Sequence, residues 1–496
     1  MSVNAQGKLI VTKAGISLRY WSSAIFAIIL SIGVISFEPD IIADPIDQAS
    51  FGLFTRLFSH SLYPENVAVN SASTVVLINQ KSLTDTNEKW PPSFGFHASL
   101  LQRLIADKPA AIVLDYLLVD KRNDRSLEEL EKTLLYAKEQ GIPVIAARGS
   151  YTGYPEHGII PELGKHVILS AGWRDKKNAA SPFIYNIAME HGDDHYLDSL
   201  ALIAFKKYCK KYPKLPSCDH DGFNYDRNMW VFWSSRIPDY KSFFQLSDNE
   251  LFKAIECEKH ASNDLIGKAI DYVGGQVSSC PSQITLPAHY LIKDFDDRVK
   301  KMITNKVVFV GFNMEGIQDF VVPPTTPSPI PGVYIHAMAF DNLVAWGDDY
   351  FAIEAVFSDM RITADSIEIM TLILILIFHY AILKYVLGRT RGSTFSSALR
   401  EDKEFNITNN PLCIFKYYYN RLCYLIDQKE IFGILKQVVQ RLAIVIVELV
   451  ILIAILFTIS VSIEMYLLRI VPVNWLSILG LTGINMFLSV RMMKLN

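Results

Sequence analysis

The sequence predicts an α/β domain, a mixed or parallel sheet flanked by helices on the exported side of a membrane, together with a four-helix transmembrane part. Three observations predict it. Short continuous apolar runs alternate with helical stretches between residues 75 and 310, the pattern of strands buried on both faces. Four long apolar runs lie outside that region, one near the start and three near the end. The basic residues collect on one side of those runs. Composition agrees: the mean hydropathy of +0.20 reflects an apolar excess confined to the four runs. With 48 basic against 51 acidic residues and a net charge of −3, there is no global attraction to nucleic acid. A 12% aromatic content with only 20% charged residues excludes a disordered chain.

The membrane elements follow in order. Residues 1–19 form a cytoplasmic tail, and residues 20–37 are long enough to cross a hydrocarbon core of roughly 30 Å at roughly 1.5 Å per residue. Lys8, Lys13 and Arg19 precede this run and Glu38, Asp40, Asp44 and Asp47 follow it, which places the N-terminus inside and residues 38–365 outside. No small-x-small cleavage site follows Phe37, so the run reads as an anchor rather than a removed signal peptide. Spans at 366–387, 442–463 and 470–490 then return the tail, 491–496, to the cytoplasm. The loop 388–441 supports this sidedness through Arg389, Arg391, Arg400, Lys403, Lys416, Arg421, Lys429, Lys436 and Arg441.

Within the exported region, strands are predicted at Val75–Asn79, Ala111–Leu114, Ile142–Ala146, Val167–Ser170 and Val307–Val310, and helices at His97–Ile105 and Ser126–Glu139. Strand, helix, strand repetition implies right-handed crossovers. The section from about 193 to 285 differs, being rich in aromatic residues and holding Cys209, Cys218, Cys257 and Cys280; it reads as an elaboration on the sheet. An even number of cysteines in an oxidising compartment suggests disulfides, and closure in sequence order pairs Cys209 with Cys218 and Cys257 with Cys280. No C-x-x-C or His spacing favours a zinc site.

Candidate binding residues are Asp115, at a strand's carboxyl end where open α/β sheets receive ligands, Asp319 after a glycine-containing turn, and His336, near a helix start as His97 is. The competing reading is that each caps a helix or ties a turn. Gly311-x4-Gly316 lacks the Lys-Ser/Thr of a phosphate loop, and no esterase, zinc-protease or kinase signature occurs, so no catalytic residue, metal or cofactor is expected. In the membrane part, His379, Glu448 and Asn485 fall at similar depth, about 9 to 12 Å from the cytoplasmic ends. They form either a functional polar cluster or interhelical packing bonds. In the loop, Tyr417, Tyr418, Tyr419 and Arg421, with Lys416 and Tyr424, make an aromatic and basic face suited to the anionic inner leaflet or to a docking protein.

Val75 to Leu83, then Trp90-Pro91-Pro92, His97-Ala98 and Ala110 to Leu118, resemble the opening of the CHASE2 family of extracytoplasmic sensor domains. Asn305 to Phe320, the prolines that follow and Pro331 to Val344 resemble its closing portion, and the match runs from about Thr74 to Gly347. The resemblance implies a sensor preceded by one span and followed by three, commonly leading to a cytoplasmic cyclase or kinase. Asn79 and Gln80 stand where the family tends to be acidic, and Ser93-Phe94-Gly95 where it tends to carry an arginine. Six residues after the last span leave no room for an output enzyme. The expected function is therefore an inner-membrane bacterial sensor with its domain in the periplasm. It would relay an extracytoplasmic ligand or partner to a separate cytoplasmic protein, with homo-oligomerisation open and no nucleic acid involved. The alternative is a structural or assembly component of a cell-envelope complex that uses the domain for docking.

Overall fold

The computed structural model describes residues 2–3, 9–10, 40–59, 61–63, 72–122, 124–148, 158–171, 183–190, 196–219, 222–225, 227–235, 259–260, 268, 271, 277–278, 281–293, 297–314, 316–317, 319–326, 328–357, 360–390, 453–472 and 475. The chain divides into two compact units, one of residues 44–361 with 468–473, the other of 1–43, 362–467 and 474–496.

The first unit is built on six parallel strands. In chain order its main elements are α1 (Asp40–Phe58, in this unit from residue 44), β1 (Ser73–Asn79), α2 (Gln80–Asp85), α3 (Phe94–Ala106), β2 (Ala111–Leu114), α4 (Leu127–Glu139), β3 (Val144–Arg148), β4 (Ile168–Ala171), α5 (Leu200–Lys211), β5 (Ile284–Pro287), α6 (Ala288–Lys293), α7 (Asp297–Ile303), β6 (Val307–Asn313) and α8 (Val333–Trp346), with short strands between them, one of them Ile184–Tyr185. The sheet order is β5-β1-β6-β2-β3-β4, every neighbouring pair parallel. The last strand in sequence, β6, sits between the first two, with Phe309 opposite Val75 on one side and Val113 on the other.

Side chains alternate between two helical layers, as strand geometry requires. Val76, Ile78, Ile112, Leu114, Val144, Ala146, Val308 and Val310 join the core made by α3, α4, α6 and α7. The intervening residues face α5 and α8, where the Phe309 ring lies 5.7 Å from that of Phe340. β6 extends three residues beyond the predicted Val310 because β1 is long enough to pair with it as far as Asn79. β5 carried no signal: it is four residues long and ends in Pro287, which an edge strand tolerates because its outer N–H groups are not needed. The cysteine-rich section contributes more than an elaboration, since α5 packs on α8 and over β2 and β3, while β5 completes the sheet. Cys209 and Cys218 are disulfide-bonded across the end of α5. Cys257 and Cys280 lie outside the described residues.

Thirteen of the fourteen residues of α8 are buried, and Tyr334, His336, Asp341 and Asn342 each have a polar partner. Asp341 accepts from Ser73 at 2.8 Å and from Gln283 at 3.1 Å. Asn342 accepts from the Phe232 N–H at 2.9 Å and donates to the Phe232 carbonyl, the Met338 carbonyl and the Tyr63 hydroxyl. The Tyr334 hydroxyl bonds Thr285 at 2.8 Å. The helix reaches β6 at Gly311, where a Cβ would stand 2.5 Å from the Val333 Cβ.

In the second unit, α9 (Ala364–Thr390) contains the predicted span 366–387. Thr371 is hydrogen-bonded to Ser460 at 2.7 Å, and the Trp475 indole N–H donates to the buried Glu464 at 2.9 Å. Apolar side chains stand in the open on both helical stretches, among them Met370 at 59%, Ile459 at 52% and Leu467 at 73% exposure. Among the described residues, no helix is long and apolar enough to cross a membrane. The predicted span 20–37 lies outside the described residues, as does most of 470–490; the structure describes 442–463 only from residue 453.

Gly311→Ala is expected to lower stability by about 1–3 kcal/mol through overpacking against the Val333 Cβ, measured by urea unfolding. Replacing Cys209 and Cys218 together with serine is expected to cost about 2–3 kcal/mol in the same assay.

Candidate functional site

β2 delivers two consecutive polar side chains at the carboxyl edge of the sheet. The strand ends at Leu114, and the Asp115 N–H continues the ladder by donating to the Val310 carbonyl at 2.9 Å. Because successive residues point to opposite faces, Asp115 turns toward α8 and Tyr116 toward α3. Each meets a buried histidine.

On the α8 face, His336 lies between Asp115, 3.3 Å from its Nε2, and the Tyr185 hydroxyl, 2.7 Å from its Nδ1. The Ala201 N–H, in the first turn of α5, donates to the same hydroxyl at 3.3 Å. Tyr185 is fully buried, and the Asp115 carboxylate keeps 14% of its side-chain surface in solvent. Burial opposes the imidazolium, yet Tyr185 and Asp115 on its two nitrogens outweigh that and push His336 up to about 10. A protonated ring donates at both nitrogens, to the carboxylate and to the phenol oxygen. The result is a buried, hydrogen-bonded ion pair linking the end of β2, the segment around Tyr185 and the first turns of α8.

On the α3 face the histidine is shifted the other way. The Tyr116 hydroxyl meets His97 Nδ1 at 3.1 Å, and burial first, then the Arg122 guanidinium, pulls His97 down to about 3. His97 is therefore neutral and accepts from Tyr116, whose phenol is pushed up by burial. Phe312 packs on both rings, and Trp90, half exposed at 52%, sets its edge against Phe312 at 5.1 Å.

The structure brings Asp115 and His336 together. Asp319 is exposed, and its carboxylate lies against Gly332 at the start of α8, where any Cβ would collide with it; the Gly332 N–H donates to the Asp319 carbonyl at 2.8 Å. His379 belongs to α9, but only its backbone is described; Glu448, Asn485, Tyr417, Tyr418, Tyr419 and Arg421 lie outside the described residues. Asn79 and Ser93, where an acidic or basic residue was anticipated, are helix N-caps. Asn79 accepts from the Ser82 N–H at 2.8 Å and Ser93 from the Phe96 N–H at 3.1 Å. Asp124 and Ser126 take the Phe94 and Gly95 N–H groups, so the first turn of α3 is already satisfied from within the protein. Sequence reasoning missed Tyr185, which sits 151 positions from His336 in a short strand with no periodic signal. Tyr116 was visible beside Asp115, but its partner followed only from the alternation of faces.

No nucleophile-and-base pair faces solvent in this arrangement, and among the described residues no group of three or more His, Cys, Asp or Glu side chains could hold a metal ion. The arrangement ties the partly solvent-touched Asp115 carboxylate at the end of β2 to His336 in α8. A family model, the CHASE2 domain, matches residues 24–380. No curated protein and no solved structure matches the chain.

The two histidines impose opposite pH limbs. His336, held above its ordinary 6.5, contributes stability that is complete below about pH 6.5 and is lost as pH rises toward about 10. His97, held below 6.5, contributes stability that is complete above about pH 6.5 and is lost as pH falls toward about 3. Denaturant unfolding across this range should give a maximum near neutrality. His336→Gln is expected to flatten the alkaline limb alone and His97→Gln the acid limb alone.

Proposed function

The chain belongs to the CHASE2 domain family, and from that premise we propose that it senses an extracytoplasmic ligand or partner and relays it across a bacterial inner membrane to a separate cytoplasmic protein. CHASE2 domains are extracytoplasmic sensors, so the first unit is the detecting part. In this reading the N-terminus and the segment 388–441 are cytoplasmic and residues 38–365 periplasmic. The four spans predicted from the sequence carry the relay.

The observation that supports this reading best is the ion pair between Asp115 and His336. Asp115 stands at the strand ends where α/β sheets receive ligands and is still touched by solvent, while His336 is rooted in a buried helix whose chain leads on to α9. A ligand or partner that competes for the Asp115 carboxylate leaves His336 as an uncompensated buried cation, a cost of about 3–5 kcal/mol when a buried pair is broken from one side. That is enough to shift a two-state equilibrium of α8. Exposed Met370, Leu374, Ile377 and Phe378 on α9, with Ile455 and Ile459 on the later stretch, support a lipid-facing surface. The intramembrane residues His379, Glu448 and Asn485 are then the coupling layer, and Tyr417, Tyr418, Tyr419 and Arg421 the face offered to lipid or to the output protein.

The second reading, a docking module in an envelope assembly, is favoured by the exposed Trp90 and Leu117 beside the carboxyl edge and by exposed Phe320 and Val322 in the segment after β6. Copurification from the native membrane separates the two. A cytoplasmic regulator or enzyme is expected for sensing; a stoichiometric set of envelope proteins with no cytoplasmic partner would favour docking.

Cysteine labelling in intact cells is expected to modify a Lys132→Cys variant from outside and an Arg421→Cys variant only after permeabilisation; the reverse pattern would overturn the topology. Asp115→Asn and Glu448→Gln are each expected to leave membrane insertion unchanged and to abolish the response of the copurifying output protein.

A further inference from the structure

The opposite, amino-terminal edge of the sheet carries a cleft of about 1110 Å³ with no role in the reading above. It is lined by the turns entering β2, β3 and β4, at Ala110, Pro143 and Val167, and by the ends of the helices that run back to that edge. Six lysines line it: Lys108 after α3, Lys138 in the last turn of α4, Lys165 before β4, and Lys207, Lys210 and Lys211 on α5. They come from both helical layers, so the positive charge straddles the sheet edge. No carboxylate is among the lining residues, and no ion pair with a carboxylate engages any of the six among the described residues. Lys138 reaches the Lys165 carbonyl at 3.4 Å, and Lys211 lies 5.8 Å from the Tyr212 ring. Asp107, adjacent to Lys108, is buried and turned to Arg103, and Glu131 pairs with the lining residue His166 at 3.6 Å from outside the lining.

Lysines at helix carboxyl ends have an ordinary use, which is to complement the helix dipole. Its scale decides the matter here. Each helix end offers on the order of half a negative charge, so the ends of α3, α4 and α5 leave most of the six lysine charges uncompensated. In a chain of net charge −3 this concentration does not follow from composition. The lysines mostly stand exposed around the opening, with Lys207 half-buried on α5. That geometry suits an anion wide enough to touch several ammonium groups at once and too highly charged to be a single carboxylate. We propose that this cleft binds a polyanion bearing several phosphate or phosphodiester groups, with lysines from α5 on one side and from the α3 and α4 layer on the other. The phosphates can belong to a soluble polyphosphate or to the headgroups of anionic lipid, and the chemistry of recognition is the same.

The test uses the full chain in uncharged detergent and two probes, fluorescent short-chain polyphosphate and mixed micelles doped with phosphatidylglycerol. The proposal expects at least one probe to bind, and the triple substitution Lys165→Gln/Lys207→Gln/Lys210→Gln to weaken it by roughly tenfold or more. It expects Lys81→Gln/Lys89→Gln/Lys132→Gln, which removes the same charge elsewhere, to change affinity less than about twofold. All of these lysines except the half-buried Lys207 are exposed, and an unchanged melting temperature in both triple variants confirms that each is folded. Polyphosphate binding without phosphatidylglycerol binding assigns a soluble ligand, and the converse assigns lipid headgroups; either supports the site. Binding by neither probe, or equal weakening by the two triple variants, would overturn it.

Discussion

Burial of α8 against β6 is the constraint on which the rest of the first unit depends. A helix with thirteen of fourteen residues buried can carry polar side chains only if each is matched, and here Tyr334, His336, Asp341 and Asn342 each find a partner on a different segment. Those partners are β5, the end of β2, the start of β1 and the segment at Phe232. One helix therefore fixes the relative placement of elements far apart in sequence. The close approach that allows this rests on Gly311, because any side chain there would occupy the volume of Val333.

β6 adds a second dependence. It is last in sequence yet sits between β1 and β2, so the sheet is incomplete until residues near 307 arrive. Non-local pairing of this kind makes the opening and closing portions of the domain structurally inseparable. It also places the carboxyl ends of β1, β6 and β2 side by side, which is why Trp90, Phe312, Tyr116 and Asp115 converge from separate parts of the chain.

The two edges of the sheet have different electrostatic character. At the carboxyl edge Asp115 and Tyr116 each meet a histidine, charged on one face and neutral on the other, separated by a single strand. The difference has a simple origin: His336 has a carboxylate on its second nitrogen, whereas His97 has a phenol on one nitrogen and a guanidinium nearby. At the amino edge no ion pair with a carboxylate engages the lysines among the described residues, and most of them stand exposed. The domain thus carries two chemically distinct edges on one sheet, one with its two histidines hydrogen-bonded and the other strongly cationic.

The sequence alone determined the α/β class, five of the six sheet strands to within a few residues, the helices α3 and α4, and the pairing of Cys209 with Cys218. These follow from local apolar periodicity and short chain separation, which need no knowledge of distant residues. It also marked Asp115 and His336, since Asp at a strand end and His near a helix start are local signals. Only the tertiary structure decided that those two meet, that Tyr185 completes the link, that Asp319 rests on Gly332, that Pro287 ends a sixth strand, and that lysines from three helices and their loops surround one cleft. The physical reason is common to all of these. Charge, protonation state and hydrogen-bond partnership depend on which segments the sheet order brings into contact, and that order is set by burial of whole helices rather than by any residue's neighbours in the chain.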